Sequence, residues 1–415
     1  MSPTAQQWPG GMSRRHLIRL GLALAGAGEA AACSSGPGST GVQGTRSGTP
    51  TPRRTPTAQR LTVASSGAPS GKQPRRASDS SPTPQQLAGQ HIIYSYPGLT
   101  VSGALLERVA AGEAAGVIFF GRNIASRAQI SETVAQLREA QRESPSGDPL
   151  LLMTDQEGGL IRRLPGDPVL SQQQIGQDGD PLAAATAAGT AAGRNLASVG
   201  MNLNLAPVLD VTRSPDGFIA LNQRSYGGGA AIDATLGGAF IAAQQASGVA
   251  SAAKHFPGLG AAASWQNTDE VPVTLDVPVD ELRAVDELPY RSAISAGVKM
   301  VMVSWATYPA LDARRPAGLS PLVVRQELRG RLGYSGVTIT DALEAGALGP
   351  FGSAGERAVA AAAAGADLIL CSSGDVAQGE DAAAALLAAF REGRLDAGDF
   401  NAGFERISAL RRSLR

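Results

Sequence analysis

From residue 85 onward, short apolar segments alternate with longer stretches rich in Ala and Leu. The alternation is typical of repeated βα units, which assemble into a parallel sheet. Eight units favour a closed (β/α)8 barrel, so we predict one α/β domain over residues 85–415. An open Rossmann-like sheet is the alternative, but no Gly-x-Gly-x-x-Gly motif follows the first apolar segment. The predicted strands are 91–94, 116–120, 150–153, 201–208, 248–253, 298–303, 336–339 and 366–370.

Polar side chains follow four of these segments directly. They are Arg122-Asn123, Asp155-Gln156-Glu157, Lys254-His255 and Asp341. In a (β/α)8 barrel the carboxyl ends of all strands meet at one face, and that face carries the chemistry. Buried charges are costly without partners, so charge from four strand ends on one rim indicates a ligand site. A layer of structural ion pairs is the alternative.

The first 33 residues read as a targeting segment. Arg14-Arg15 precede an apolar run that ends at Cys33, which resembles a twin-arginine signal with a lipobox. The run is shorter than the about 20 apolar residues that a membrane-spanning helix needs. We therefore expect cleavage before Cys33, lipidation of Cys33 and a lipoprotein on the extracellular face of the membrane, with release from the membrane as an alternative. A secreted protein cleaved nearby is the alternative.

Residues 34–84 are dominated by Ser, Thr, Pro and Gly, so we expect a disordered tether there. The 36 basic and 36 acidic residues cancel, and no basic stripe indicates a nucleic acid partner. Cys33 and Cys371 are the only cysteines, and a lipidated Cys33 leaves Cys371 as a small buried hydrophobic residue. The mature sequence has no spacing typical of a metal site, so we predict no metal, no cofactor and a monomer.

Five motifs occur in an order that resembles glycoside hydrolase family 3, most closely its bacterial β-N-acetylglucosaminidase branch. They are Thr154-Asp155-Gln156-Glu157-Gly158-Gly159, Asn204-Leu205-Ala206-Pro207-Val208-Leu209-Asp210-Val211, Arg224-Ser225-Tyr226-Gly227, Lys254-His255-Phe256-Pro257-Gly258 and Ile339-Thr340-Asp341-Ala342-Leu343. The resemblance covers nearly all of residues 85–415. It implies a β-glycosidase acting on cell-wall or chitin-derived fragments. Relatives with β-glucosidase specificity usually carry a second α/β sandwich domain, which we do not expect here.

The resemblance also implies roles for individual residues. Asp341 matches the nucleophile of a retaining mechanism, in which a covalent glycosyl-enzyme forms and is hydrolysed. We expect neighbouring Arg and Lys side chains to keep it ionised. A helix N-cap is the alternative for Asp341 alone. The residues that match the sugar-binding groups of the family are Asp155, Arg163, Arg224, Lys254 and His255.

One element of the family pattern is missing. The acetylglucosaminidase branch has an Asp-x-His pair in the loop after Lys-His-Phe-Pro-Gly, and its histidine is the general acid/base. Residues 259–270 contain no histidine, and the chain has only three, His16, His91 and His255. We predict that Asp269 replaces it, with Glu270 second, because either carboxyl could donate a proton if its pKa is raised. A solvated turn at 267–269 is the alternative.

Other departures lie near the expected sugar site. Leu160 stands where many relatives have arginine, Ala345 where they have methionine, and Trp305 where histidine is frequent. Trp265 could stack on a sugar or anchor its loop. Two functions therefore remain: an active β-N-acetylhexosaminidase, and a catalytically weak or silent sugar-binding lipoprotein on the same barrel.

Overall fold

The computed structural model describes residues 81–414. The predicted signal segment 1–33, the lipidation site Cys33 and residues 34–80 of the predicted tether lie outside the described residues. The first described helix begins at Pro84 and is capped by Thr83, whose hydroxyl accepts a hydrogen bond from the Gln86 amide.

Eight parallel strands close into a barrel, as the sequence predicts. The barrel strands are β1 Ile92–Tyr94, β2 Gly116–Ile118, β3 Leu151–Thr154, β6 Leu203–Asn204, β7 Ala250–Phe256, β8 Met300–Val303, β11 Val337–Ala342 and β12 Leu368–Leu370. Around the barrel the strand order is β1, β12, β11, β8, β7, β6, β3, β2 and back to β1. Two hairpins lie outside the barrel, β4 Gln156–Gly158 with β5 Ile161–Arg162, and β9 Thr307–Tyr308 with β10 Asp312–Pro316.

The fourth barrel strand is much shorter than the predicted segment 201–208. Strand β6 ends at Asn204, and Pro207 lacks the amide that a continuing ladder needs. Beyond this point the Asn204 side chain continues the hydrogen bonding toward the segment after β3, because its amide oxygen accepts from the Gln156 amide at 2.9 Å. Strands β7 and β11 extend farther than predicted, to Phe256 and Ala342. The candidate site residues Lys254, His255 and Asp341 therefore lie within the strands rather than after them.

Helices surround the barrel, and most of them start at a Ser or Asp side chain that accepts a hydrogen bond from a first-turn amide. The α-helices are α1 Pro84–Gly89, α2 Gly103–Ala110, α3 Arg127–Glu143, α4 Gln172–Gly176, α5 Pro181–Ala197, α6 Phe218–Leu221, α7 Ala230–Ala246, α8 Val279–Glu281, α9 Leu288–Ser295, α10 Ala354–Ala364, α11 Val376–Arg391 and α12 Ala397–Arg412. Turns of 3-10 helix occupy Gly121–Asn123, Ala317–Leu319 and Gly346–Phe351, and π-helical segments occupy Leu282–Asp286 and Leu322–Arg331. None of the described helices is long and apolar enough to cross a membrane.

The barrel interior is filled by aliphatic side chains and methionines from its strands, together with Ile407 and Leu410 of α12. Helix α12 thus covers the barrel opposite the strands' carboxyl ends. Its Arg411 is fully buried and donates hydrogen bonds to the carbonyls of Asp148 and Pro149 and to the side chain of Gln90. One guanidinium therefore ties the last helix to the segments that precede β1 and β3.

We predict that Arg411→Ala lowers the free energy of unfolding by about 3 kcal/mol, because buried acceptors lose their donor and a cavity remains. Urea denaturation followed by circular dichroism measures the difference. Arg412→Ala is the matched control. Its side chain is 49% exposed and reaches Asp148 only at 3.5 Å, so it should cost less than about 0.5 kcal/mol. Equal losses in the two variants would contradict the role given to Arg411.

Candidate active site

A cleft of about 330 Å³, open to solvent, lies at the carboxyl ends of the strands. All seven predicted catalytic and sugar-binding residues line it. They are Asp155, Arg163, Arg224, Lys254, His255, Asp269 and Asp341. The fold therefore brings these predicted residues together in one cleft, although they are up to 186 positions apart in the sequence, from Asp155 to Asp341.

Four of the charged residues form one ion-pair network. Lys254 Nζ lies 2.7 Å from Asp155 Oδ1 and 2.8 Å from Glu157 Oε1. Arg224 binds Glu157 with two hydrogen bonds, Nε to Oε2 at 2.9 Å and Nη2 to Oε1 at 2.8 Å. Two cations thus balance two carboxylates. The ion-pair layer that was the alternative to a ligand site is present, and it forms the wall of the cleft.

The network still leaves hydrogen-bonding groups for a ligand. Lys254 has three N–H donors, and its salt bridges use two of them. Arg224 uses its Nε and Nη2 atoms on Glu157, which leaves the Nη1 donors. Among the described residues, Asp155 Oδ2 accepts no hydrogen bond. Fixed donors and acceptors in this arrangement suit the hydroxyl groups of a sugar.

Glu157 lies at the centre of the network and is almost completely buried. Burial by itself raises the pKa of its carboxyl, but the charges and hydrogen bonds of Arg224 and Lys254 outweigh burial and lower the pKa to about 2. Glu157 therefore stays ionised throughout the physiological range. Sequence reasoning did not select it, although its position two residues after Asp155 places it beside the same lysine.

His255 is held by Asp210, a second residue that sequence reasoning did not assign to the site. His255 Nδ1 lies 2.8 Å from Asp210 Oδ2, and Asp210 Oδ1 accepts from the backbone amides of His255 and Leu259. The contact with Asp210 fixes the orientation of the imidazole ring through Nδ1. The other ring nitrogen, Nε2, is not engaged by Asp210, and the His255 side chain lines the cleft.

Asp341 is the penultimate residue of β11, between the neighbouring strands β8 and β12. Its Oδ1 accepts a hydrogen bond from the Ala342 amide at 2.8 Å. Trp305 Nε1 donates to the Ala342 carbonyl at 2.8 Å, which fixes the backbone directly after Asp341. Lys254 and Arg224 pair with Asp155 and Glu157, and no Arg or Lys among the described residues forms a salt bridge with Asp341.

Asp269 reaches the cleft from the loop after β7. Asp269 as a whole residue is exposed. The surrounding protein nevertheless removes enough water from its carboxyl to raise the pKa, and the negative charge of Asp341 raises the pKa further. Together these influences raise the pKa of Asp269 to about 6. Glu270 is exposed and does not line the cleft. The structure therefore favours Asp269 over Glu270.

The residues that depart from the family pattern have different surroundings. Trp305 is buried beneath the end of β11, and Ala345 lines the cleft. Leu160 is 66% exposed and Trp265 is 71% exposed, and neither lines the cleft. Of these four positions, only 345 lines the cleft.

Two further charged side chains line the cleft, Arg163 and Glu344. The buried Nε of Arg163 has no hydrogen-bond partner among the described residues. Glu344 accepts from Ser372 Oγ at 2.8 Å, the Ser372 amide at 3.3 Å and Gln378 Nε2 at 3.2 Å, all neutral donors. No group of three His, Cys, Asp or Glu side chains between residues 81 and 414 is arranged to hold a metal ion.

Asp269 and Asp341 line the same cleft at the carboxyl ends of the barrel strands, and glycoside hydrolysis uses a pair of carboxyl groups at such a position. Residues 92–410 match the family described as glycosyl hydrolase family 3 N terminal domain. The chain belongs to this family and is a glycoside hydrolase.

Three relatives are similar over most of the chain. A protein of Arthroderma benhamiae described as an uncharacterized secreted glycosyl hydrolase is 46% identical, over 79% of this chain and 93% of its own. A β-N-acetylhexosaminidase structure from Beutenbergia cavernae has 32% identity and a TM-score of 0.73, over 80% of this chain and 100% of its own. A family 3 β-N-acetylglucosaminidase from Paenibacillus has 35% identity and a TM-score of 0.75 over 80% of this chain, which spans only 63% of that protein.

The ion-pair network predicts a pH-dependent stability. The lowered pKa of Glu157 means that its stabilising contribution is complete above about pH 4.5 and is lost as the pH falls toward about 2. Glu157→Gln should therefore be less stable than the wild type by about 3 kcal/mol at pH 7, and the difference should shrink below about pH 5. Urea denaturation at a series of pH values measures it.

Glu392→Gln is the control for this experiment. Its carboxylate pairs with an exposed arginine, Arg394, so the substitution should change stability by less than about 0.5 kcal/mol at every pH. A pH-independent deficit in Glu157→Gln would show that lost packing, not the ionised carboxylate, accounts for the effect.

Proposed function

We propose that the protein is a retaining β-N-acetylhexosaminidase in which Asp341 is the nucleophile and Asp269 is the general acid/base. The observation that carries this proposal is the presence of both carboxyls in one cleft, with the pKa of Asp269 raised to about 6 and Asp341 contributing to that shift. A pair of carboxyls with different environments is what acid/base and nucleophilic roles require.

The proposed reaction has two steps. In the first, Asp341 attacks the anomeric carbon while the Asp269 carboxyl protonates the glycosidic oxygen, so the aglycone leaves as an alcohol and an ester to Asp341 forms. In the second, Asp269, now a carboxylate, takes a proton from water, and the resulting nucleophile breaks the ester. The free sugar is released and both carboxyls return to their starting states.

Substrate recognition is proposed from the remaining cleft residues and the relatives. Lys254, Arg224, Asp155 and the Nε2 of His255 would bind the ring hydroxyls of the sugar whose bond is broken, and the unpartnered Arg163 would add a further donor. The two similar structures carry the names of enzymes that act on N-acetylhexosamine residues. Both considerations support β-N-acetylhexosaminides, from cell-wall or chitin-derived fragments, as substrates.

We also propose that the protein acts outside the cytoplasm. The Arthroderma relative is described as secreted, and the first 33 residues end in a candidate lipidated cysteine. Replacing Cys33 by Ala should abolish incorporation of labelled palmitate and release the protein from the membrane fraction. Unchanged labelling would exclude Cys33 as the lipidated residue.

The roles of the two carboxyls predict different mutant kinetics. Asp341→Asn should abolish turnover of every aryl β-N-acetylglucosaminide. Asp269→Asn should lower kcat/KM about 10²- to 10⁴-fold for poor leaving groups but much less for 2,4-dinitrophenyl, which departs without protonation. Steady-state kinetics on a series of aryl glycosides measures this dependence.

Glu270→Gln is the matched control, since it removes the neighbouring carboxyl of the same loop, which does not line the cleft. It should retain the wild-type dependence on the leaving group. Equal losses on all leaving groups in Asp269→Asn would remove Asp269 from proton transfer. Sugar binding by the wild type without turnover or trapping of a glycosyl-enzyme would establish the sugar-binding alternative.

The raised pKa of Asp269 also predicts a pH profile. The acid must be protonated in the first step, so kcat/KM for a poor leaving group should decrease as the pH rises above about 6. Asp269→Asn should lose this descending limb. Initial rates from pH 4 to 8 test it, and an identical limb in the variant would assign the ionisation to another group.

A further inference from the structure

The segment directly after the nucleophile strand is hydrogen-bonded to the loop that carries Asp269. The Gly346 amide donates to the Asp269 carbonyl at 2.9 Å, and the Ala347 amide donates to the Thr268 carbonyl at 3.0 Å. Both donors lie within six residues of Asp341 along the chain. The backbone that carries one carboxyl therefore directly holds the backbone that carries the other.

Contact between the two segments is too close for any side chain at position 346. A Cβ atom built on Gly346 would lie 2.2 Å from the Glu270 carbonyl oxygen and 2.4 Å from its carbonyl carbon. Real Cβ atoms do not approach backbone this closely, so one of the segments would have to move. Gly346 is not among the described glycines with positive φ, so the contact, not the backbone conformation, accounts for the glycine.

Within the loop, a second set of contacts shapes the turn. Asn267 Oδ1 accepts from the Asp269 amide at 3.1 Å, and the Asn267 carbonyl accepts from the amides of Glu270 and Val271, each at 3.0 Å. The turn is thus closed by its own hydrogen bonds, and its residues Asp269, Glu270 and Val271 are exposed. Its placement over the cleft depends on contacts to another part of the barrel.

We propose that Gly346 is a positioning residue for the general acid, because its amide and its missing side chain let the 267–270 turn lie against the segment after β11. The inference rests on the proposed function, in which Asp269 is the acid. It deepens that function by naming what holds the acid near the nucleophile. Since the loop is exposed and β11 is buried in the barrel, a side chain at position 346 would displace the loop.

The test compares Gly346→Ala with Gly349→Ala. Gly349 belongs to the same 3-10 segment, Gly346–Phe351, but a Cβ atom there meets nothing within 4 Å. For Gly346→Ala, kcat/KM should fall about 10-fold or more on an alkyl β-N-acetylglucosaminide and less than about 3-fold on the 2,4-dinitrophenyl glycoside. Gly349→Ala should match the wild type on both substrates.

The pH profile is a second readout that a general loss of structure would not produce. The groups that influence Asp269 are Asp341 and Glu344, which raise its pKa, and His255 and Arg224, which lower it. Moving the carboxyl out of the cleft returns it to water and away from Asp341, so its pKa should fall toward the ordinary range. The descending limb of kcat/KM should then shift to lower pH in Gly346→Ala only.

Amide hydrogen exchange reports on the contact between the loop and the segment after β11, and it does so independently of catalytic activity. The amides of Gly346 and Ala347 should be protected in the wild type and Gly349→Ala, and the corresponding amides should exchange faster in Gly346→Ala. Unchanged exchange there would overturn the proposal. Gly346→Ala could also show faster exchange together with equal losses of kcat/KM on the alkyl and 2,4-dinitrophenyl glycosides. That result would overturn the proposal if the loss in Asp269→Asn depends on the leaving group. If the loss in Asp269→Asn does not depend on the leaving group, the assignment of Asp269 as the acid itself fails.

Discussion

The salt bridges of Lys254 with Asp155 and Glu157 join the middle of the long strand β7 to the segment that leaves β3. Burying four charges is expensive, and it is tolerable only while each has its partner. Since Arg224 completes the balance from a different loop, the network fixes three separate segments relative to one another. The ion pairs therefore hold the donors of the cleft in place, so a structural role for this cluster is compatible with the proposed binding of a ligand.

The two carboxyls proposed for catalysis are held in contrasting ways. Asp341 belongs to a strand paired on both sides, and its own backbone and Trp305 fix its position. Asp269 lies on an exposed turn, where loss of solvent and the nearby Asp341 charge raise its pKa. A nucleophile gains from rigid placement and ionisation, whereas an acid must hold a proton near neutral pH. The difference in secondary structure thus accompanies the difference in proposed chemistry.

The strand pattern predicted the barrel and the end of the barrel on which the charges meet, because apolar periodicity and strand count depend on local sequence. The lengths of the strands were harder to predict from the sequence. In β6, for example, the end of the ladder depends on Pro207 and on the Asn204 side chain. The partners of Lys254 could not be predicted, because pairing is decided by three-dimensional proximity. Sequence also left Asp269 and Glu270 as neighbouring candidates, and only the direction of the loop separates them.

The absence of the family histidine changes what the loop must supply. An Asp-x-His pair contains its own orienting carboxylate. Here Asn267 stands two residues before Asp269, and its side-chain oxygen accepts a hydrogen bond from the Asp269 backbone amide. No described residue donates a hydrogen bond to the Asp269 carboxyl. A carboxyl without a side-chain partner can be positioned only through its backbone, and the amides of Gly346 and Ala347 provide that support. In this chain the backbone of the proposed acid is therefore held by the segment that follows the proposed nucleophile, so that β11 and the residues directly after it contact both carboxyl-bearing segments.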